Sequence, residues 1–230
     1  MLDRKAIVQR NHPVMRQLHL QSPLSVGNGE FGFSADLTGL QSFPEVYEVP
    51  IGTQSNWGWH YTGRPGLYTL DDVRMQSYDT YGRQVLYPFK PEDRSVPYHW
   101  LRHNPHRLQL GRIAFRLLKE NGEEAVFEDL GEFHQELNLW EGIIYSRFQA
   151  VGEPVVVMTA CHPNSDTVAV RVESPLLREG RLQIFVRYPT PDMPAEGWNR
   201  CTFPQWDKPE RHHTELHQLD ANTVKFIRRM

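Results

Sequence analysis

The feature that most constrains this chain is a succession of short segments in which apolar and polar residues alternate, cut at close intervals by turn residues. "EFHQELNLW", "GIIYSRFQAV", "PVVVMTAC", "TVAVRVES" and "RLQIFVRY" follow one another between residues 132 and 188. Glu141-Gly142, Gly152-Glu153-Pro154, His162-Pro163-Asn164 and Leu177-Arg178-Glu179-Gly180 separate them. Side chains on a strand alternate faces with a period of two, so each segment reads as a strand with one buried face. Regular strands with short turns form a β-meander and point to a sandwich or barrel. "TVKFIRR", residues 223–229, reads as a further member.

Upstream, "EFGFSADL" places Phe31, Phe33, Ala35 and Leu37 on one face. "RLQLGRIAFRLL" does the same with Leu108, Leu110, Ile113, Phe115 and Leu117, where Gly111 shifts the phase as a β-bulge does. The Asn121-Gly122 pair after it is a strong hairpin signal. Residues 41–107 differ in texture: prolines, aromatics and turn residues predict long loops. One short helix is predicted at "SVPYHWLRHN", with Ser95 as cap, Pro97 in the first turn and Pro105 as the stop. A second loop-rich insertion covers residues 189–213 and holds Trp198 and Trp206. No repeat and no Ser/Gly linker divides the chain, so residues 1–230 read as a single domain.

Composition narrows the function classes. With 230 residues and 39% hydrophobic content the chain can bury a sizeable core, which excludes disorder. A net charge of -3 without a basic stripe predicts no nucleic-acid partner. No apolar run approaches the roughly 20 residues that cross a bilayer, and "MLDRKAIVQRNHPVM" lacks the apolar core of an export signal, so no membrane partner is expected. The two cysteines, Cys161 and Cys201, leave a disulfide between them open.

One loop stands out for function. "VPIGTQSNWGWHYTG", residues 49–63, gathers Trp57, Trp59 and His60 beside Gln54 and Asn56, in a stretch too rich in glycine for a helix. A pyranose ring offers an apolar C–H face that stacks on indole and hydroxyl groups that pair with amides. Gln54, Trp57, Trp59 and His60 are therefore the candidate substrate-binding residues. The alternative reading makes both tryptophans plugs that close one end of a sandwich.

Other constellations point nowhere as sharply. His99 and His103 share a helix face at four-residue spacing but lack the glutamate of a zinc protease, and the "HHTELH" histidines at 212, 213 and 217 match no standard ligand spacing. No metal site and no cofactor are expected. Cys161 and His162 are adjacent on a strand end, where neighbours face opposite sides, so a nucleophile–base pair is not expected. Glu30, Asp36, Glu45, Glu48, Asp71 and Asp72 are carboxylates without a motif, and no catalytic residue is assigned.

The run "SPLSVGNGEFGFSADLTGLQSFPE", residues 22–45, resembles the N-terminal domain of six-hairpin glycosidases, in particular bacterial proteins of the glycoside hydrolase family 65 type. "PIGTQSNWGWH", "NPHRLQLGRI", "HQELNLWEGIIYSRF" and "TACHPNSDTVAVRVESPLL" extend the likeness over most of the chain. The resemblance implies a supersandwich-like β-sandwich with long loops and a short helix, opened by the turn Gly27-Asn28-Gly29. It implies an inverting glycoside hydrolase or phosphorylase that acts on α-linked glucosides. In that family the acid and base reside in a barrel of paired helices, which this chain lacks, and the sandwich lends a loop to the sugar pocket. The implied partners are an oligosaccharide and a helical-barrel catalytic domain; the implied location is periplasmic or secreted. Because the chain ends on the strand-like "TVKFIRRM", the sandwich is expected to be incomplete at that end. Two other functions stay open: a stand-alone carbohydrate-binding module and a structural interaction domain.

Overall fold

The computed structural model describes residues 2–89, 92–192 and 204–230. Trp198 and Cys201 lie outside the described residues. The protein is mostly β and forms many antiparallel pairs. Its residues group into two compact units, Met1–Gly58 with Gln109–Pro189, and Trp59–Leu108 with Thr190–Met230, where the sequence reads as one domain.

The first unit is a β-sandwich. Its larger sheet has five antiparallel strands in the order Val14–Met15, Leu130–Asn138, Ile143–Ala150, Glu153–Cys161 and Val168–Glu173. The last four are consecutive and form the expected meander as far as Val168–Glu173, but Leu182–Arg187, read as its next member, leaves the sheet and pairs with Arg112–Leu117. Leu24–Gly27, Phe31–Ala35 and Thr53–Ser55 form a second sheet, and Arg112–Leu117 pairs with Leu182–Arg187 in a third. Alternation decides what is buried: Ile144, Phe148 and Ala150 from one sheet meet Phe31, Phe33 and Ala35 from another, with Phe115, Leu117 and Val157 in the same cluster. Phe33 is fully buried, so its truncation to alanine costs about 3–5 kcal/mol.

A polar loop, residues 36–43, is folded into the edge of this core. Asp36 is fully buried; its Oδ1 accepts the N–H (2.8 Å) and the hydroxyl (2.5 Å) of Thr38, and its Oδ2 accepts Phe43 N–H (2.7 Å). With Asp36 ionised, every proton in the chain is fixed. Thr38 has given its hydrogen to Asp36, so Ser42 donates to Thr38 Oγ1 at 2.9 Å and accepts Phe115 N–H at 3.1 Å. Burial pushes the Asp36 carboxyl upward, against the opposing pull of the Thr38 and Phe43 donors.

The second unit consists of short ribbons and one helix. Trp59–His60 pairs with His106–Arg107, Arg74–Thr80 with Arg83–Phe89, and His213–Gln218 with Val224–Arg229. The helix Ser95–His103 lies where the sequence predicts it, yet Arg94 occupies the cap position without a side-chain cap, and Ser95 is its first residue. A second, unforeseen helix, Arg4–Gln9 in the first unit, is capped by Asp3 Oδ1 on Ala6 N–H.

Three local expectations are corrected. The segment 41–107 is not all loop, because the Arg74–Phe89 hairpin lies within it; both of its faces carry exposed residues, which erases the apolar period that marks a half-buried strand. Val224–Arg229 belongs to the second unit, not the meander, since periodicity identifies a strand but not its partner. No bulge forms at Gly111: the strand starts at Arg112, and a Cβ at 111 would stand 3.2 Å from the Tyr188 ring.

Candidate functional site

The turn Gly27-Asn28-Gly29 organises one end of the sandwich. A Cβ at Gly27 would lie 2.5 Å from Phe31 O, and Gly29 has φ +93°, so each glycine answers a separate demand. Asn28 does more than tolerate a turn. Its Oδ1 accepts the N–H groups of Glu30 and Phe31 at 3.0 and 2.8 Å, while its Nδ2 donates to His162 O and Ser165 O at 3.3 and 3.2 Å. All four hydrogen-bonding positions of the amide are used. The loop 162–167 is thereby tied to the first hairpin of the sheet.

That loop carries Asp166, whose Oδ2 accepts the Ser55 hydroxyl at 2.5 Å and the Trp57 indole N–H at 2.8 Å. The Trp57 side chain is 67% exposed. Its polar edge is therefore held while its ring faces solvent. Gln54, on the strand Thr53–Ser55, points away from its two buried neighbours, and its amide makes no hydrogen bond among the described residues. In the same loop, Asn164 N–H donates to His162 Nδ1 at 3.1 Å, which makes Nδ1 an acceptor and puts the ring proton on Nε2.

Trp59 and His60 belong to the second unit, so the four predicted residues are divided between the units after Gly58. The Arg107 guanidinium sits 4.0 Å from the centre of the Trp59 ring and covers one indole face by a cation–π contact. Trp59 is 52% exposed. Neither tryptophan is buried as an end plug would be. His60 Nε2 lies 3.4 Å from Asp192 Oδ1, and Arg211 Nε donates to Asp192 Oδ2 at 2.6 Å. Arg211 first, then His60, holds the Asp192 carboxyl below the usual carboxylate range. The His60 ring meets His106 edge to face at 5.5 Å. His106 directs its two nitrogens at His103 O (3.1 Å) and Pro191 O (3.0 Å), yet burial outweighs both carbonyls and holds its pKa low.

The carboxylates without a motif have local tasks or lie exposed. Asp36 anchors the buried loop, Asp72 accepts Thr69 N–H at 2.7 Å, Glu48 accepts Gln21 Nε2 at 2.7 Å, and Glu45 stands 4.0 Å from Arg112. Cys161 is partly buried, and burial followed by the Asp166 charge raises its thiol pKa, the opposite of nucleophile activation. Among the described residues no group of three or more His, Cys, Asp or Glu is placed to hold a metal ion, and no helix is long and apolar enough to cross a membrane.

Sequence reasoning missed Asp166, Asp192 and Arg107. Each acts across a long chain separation, and only an alternating strand pattern around 106–107 would have hinted at Arg107. No protein-family model, curated protein or solved structure matches the chain.

Proposed function

We propose that this chain is the N-terminal β-sandwich portion of an inverting glycoside hydrolase or phosphorylase of the six-hairpin type, acting on α-linked glucosides, and that its share of the work is to contact sugar. The observation that supports this reading is the Trp57 indole: its ring is open to solvent while its N–H is fixed on Asp166. A stacking platform gains from such fixation, because the ring orientation is set before the ligand arrives. Gln54, three residues earlier, offers an amide with both donor and acceptor capacity. Trp59 and His60 belong to the other unit, where Arg107 covers one indole face and His60 Nε2 lies beside Asp192. Acid–base chemistry would come from a separate helical barrel.

The test is a titration of the protein with maltose, followed by indole fluorescence and the Trp57 Nε1–H resonance. Saturation at about 1–10 mM supports the reading, as expected for one stacked ring with few hydrogen bonds. Trp57→Ala should abolish the indole response without lowering the melting temperature by more than a few degrees. An indole signal unchanged by maltose, or unfolding of Trp57→Ala, defeats it.

A further inference from the structure

A separate cavity of about 540 Å³ lies within the first unit. It is bounded by the strands Arg112–Leu117 and Leu182–Arg187 and by segments 42–46 and 124–128, and its size falls in the range that takes small molecules. Phe43, Phe127 and Phe185 supply aromatic surface. The wall is braced from behind. Phe43 meets Phe127 edge to face at 5.8 Å, Phe127 stacks on Phe133 at 5.5 Å, and Phe133 stacks on the buried Phe148 at 6.2 Å. A cavity wall tied to the core in this way loses little freedom when a ligand enters.

The polar lining is evenly balanced, with Arg112, Arg116 and Arg187 against Glu45, Glu124 and Glu128. Arg116 and Glu124 pair at 2.6 Å. Arg112 is the informative member. Its Nε donates to Gln41 O at 2.6 Å and its Nη2 to Ser42 O, which locks the guanidinium plane. The plane stands 5.5 Å from the Phe185 ring centre. Nη1 has no hydrogen-bond partner among the described residues, although the side chain is only 15% exposed. That edge is free to donate to a ligand or to water.

Equal numbers of cations and anions select neither a net anion nor a net cation. Planar guanidinium and carboxylate groups present paired donors and paired acceptors, which match adjacent hydroxyl groups. Aromatic faces take the C–H side of a ring. We propose that this cavity is a second carbohydrate site, which takes one neutral hexose ring. It shares a ligand class with the Trp57 surface but none of its residues, so either site can fail without the other.

Titration of the protein with glucose, followed by ¹H–¹⁵N NMR, tests the assignment. The Arg112 Nε–H and the Phe185 and Val126 amides should shift together and saturate in the range of about 1–10 mM. Phe185→Ala and Glu45→Gln should each weaken that response by about three-fold or more, and Trp57→Ala should leave it intact. Glu45 is exposed, so its substitution reports on the ligand and not on folding. Absence of these shifts at about 50 mM glucose overturns the proposal, as does an unchanged response in Glu45→Gln. Loss of the Trp57 signal alone counts against the platform and leaves the cavity standing.

Discussion

Trp57 donates its indole N–H to Asp166, a residue 109 positions away, and the same carboxylate oxygen also receives the Ser55 hydroxyl. The loop that carries Asp166 is separately tied to the turn at residues 27–29 by the Asn28 amide, which donates to His162 O and Ser165 O. An exposed tryptophan is thereby given a fixed edge and a free face. Asp166→Ala should release the ring: tryptophan fluorescence anisotropy decay should gain a fast component, and maltose affinity should fall by about ten-fold. Stability should fall by about 1–3 kcal/mol, since the Ser55 hydroxyl is buried and gives up its bond to Asp166. An unchanged anisotropy decay would show that the indole is held by something else.

The buried loop behind Asp36 makes a sharper stability claim. Asp36→Asn exchanges one acceptor oxygen for an amide that faces Thr38 or Phe43 donors, so at least one buried N–H or O–H loses its partner. The expected cost is about 3 kcal/mol, read as a lower urea midpoint with an unchanged m-value. A cost below about 1 kcal/mol would contradict the proton assignments along Ser42, Thr38 and Asp36.

At the tip of the Arg74–Phe89 hairpin, Tyr81 has φ +50° and Gly82 has φ +78°, while the Tyr81 side chain is wholly exposed. Left-handed backbone strains an aromatic residue but suits asparagine, and nothing is packed on the ring that would be lost. Tyr81→Asn should stabilise the hairpin by about 0.5–1 kcal/mol, seen as slower amide exchange at Ser77 and Leu86. Faster exchange would show that Tyr81 is favourable where it stands.

Acid should weaken the second unit selectively. Burial lowers the pKa of His106 below its ordinary value, as it does for His103 and His212. Between the lowered folded pKa and the ordinary value near 6.5, the unfolded state binds more protons than the folded one, so stability rises with pH and is lost as pH falls through that window. Protection factors at His60 and Arg107 should drop between pH 7.5 and pH 5.5, and His106→Gln should flatten the dependence. Protection that rises on acidification would reverse the sign and show His106 to be held as a cation by its two carbonyls.

The Gly27 position gives a test of geometry alone. A methyl group there would lie 2.5 Å from Phe31 O, a backbone atom that cannot swing aside. Gly27→Ala should destabilise the sandwich by about 2 kcal/mol and disturb the Asn28 bonds, whereas Gly32→Ala, with open space around it, should be tolerated. Equal thermal shifts for the two variants would refute the assignment.

Strand content was legible because one-sided burial writes a period of two into the chain: Ile144, Ser146, Phe148 and Ala150 are buried on one strand, and Val155, Val157 and Thr159 on the next. Where neither face is buried, as in Arg74–Thr80, the period vanishes and the sequence reads as loop. Pairing was legible only for neighbours joined by short turns. Val224–Arg229 shows the limit, since its partner His213–Gln218 carries almost no apolar signal.

The residues with chemical potential followed the same division. Composition and local pattern alone determined that the chain is a β protein with core strands along 31–37 and 108–188 and an aromatic loop at 49–63, because hydrophobic periodicity and turn propensity are local properties. Tertiary structure alone decided that Trp57 and Trp59 are exposed, that they fall in different compact units, and that Asp166, Arg107 and Asp192 hold the predicted side chains. The cavity beside Arg112 likewise draws on three distant segments. Such placements depend on contacts between residues far apart in sequence, and no local pattern records which remote side chain will be brought to a given backbone.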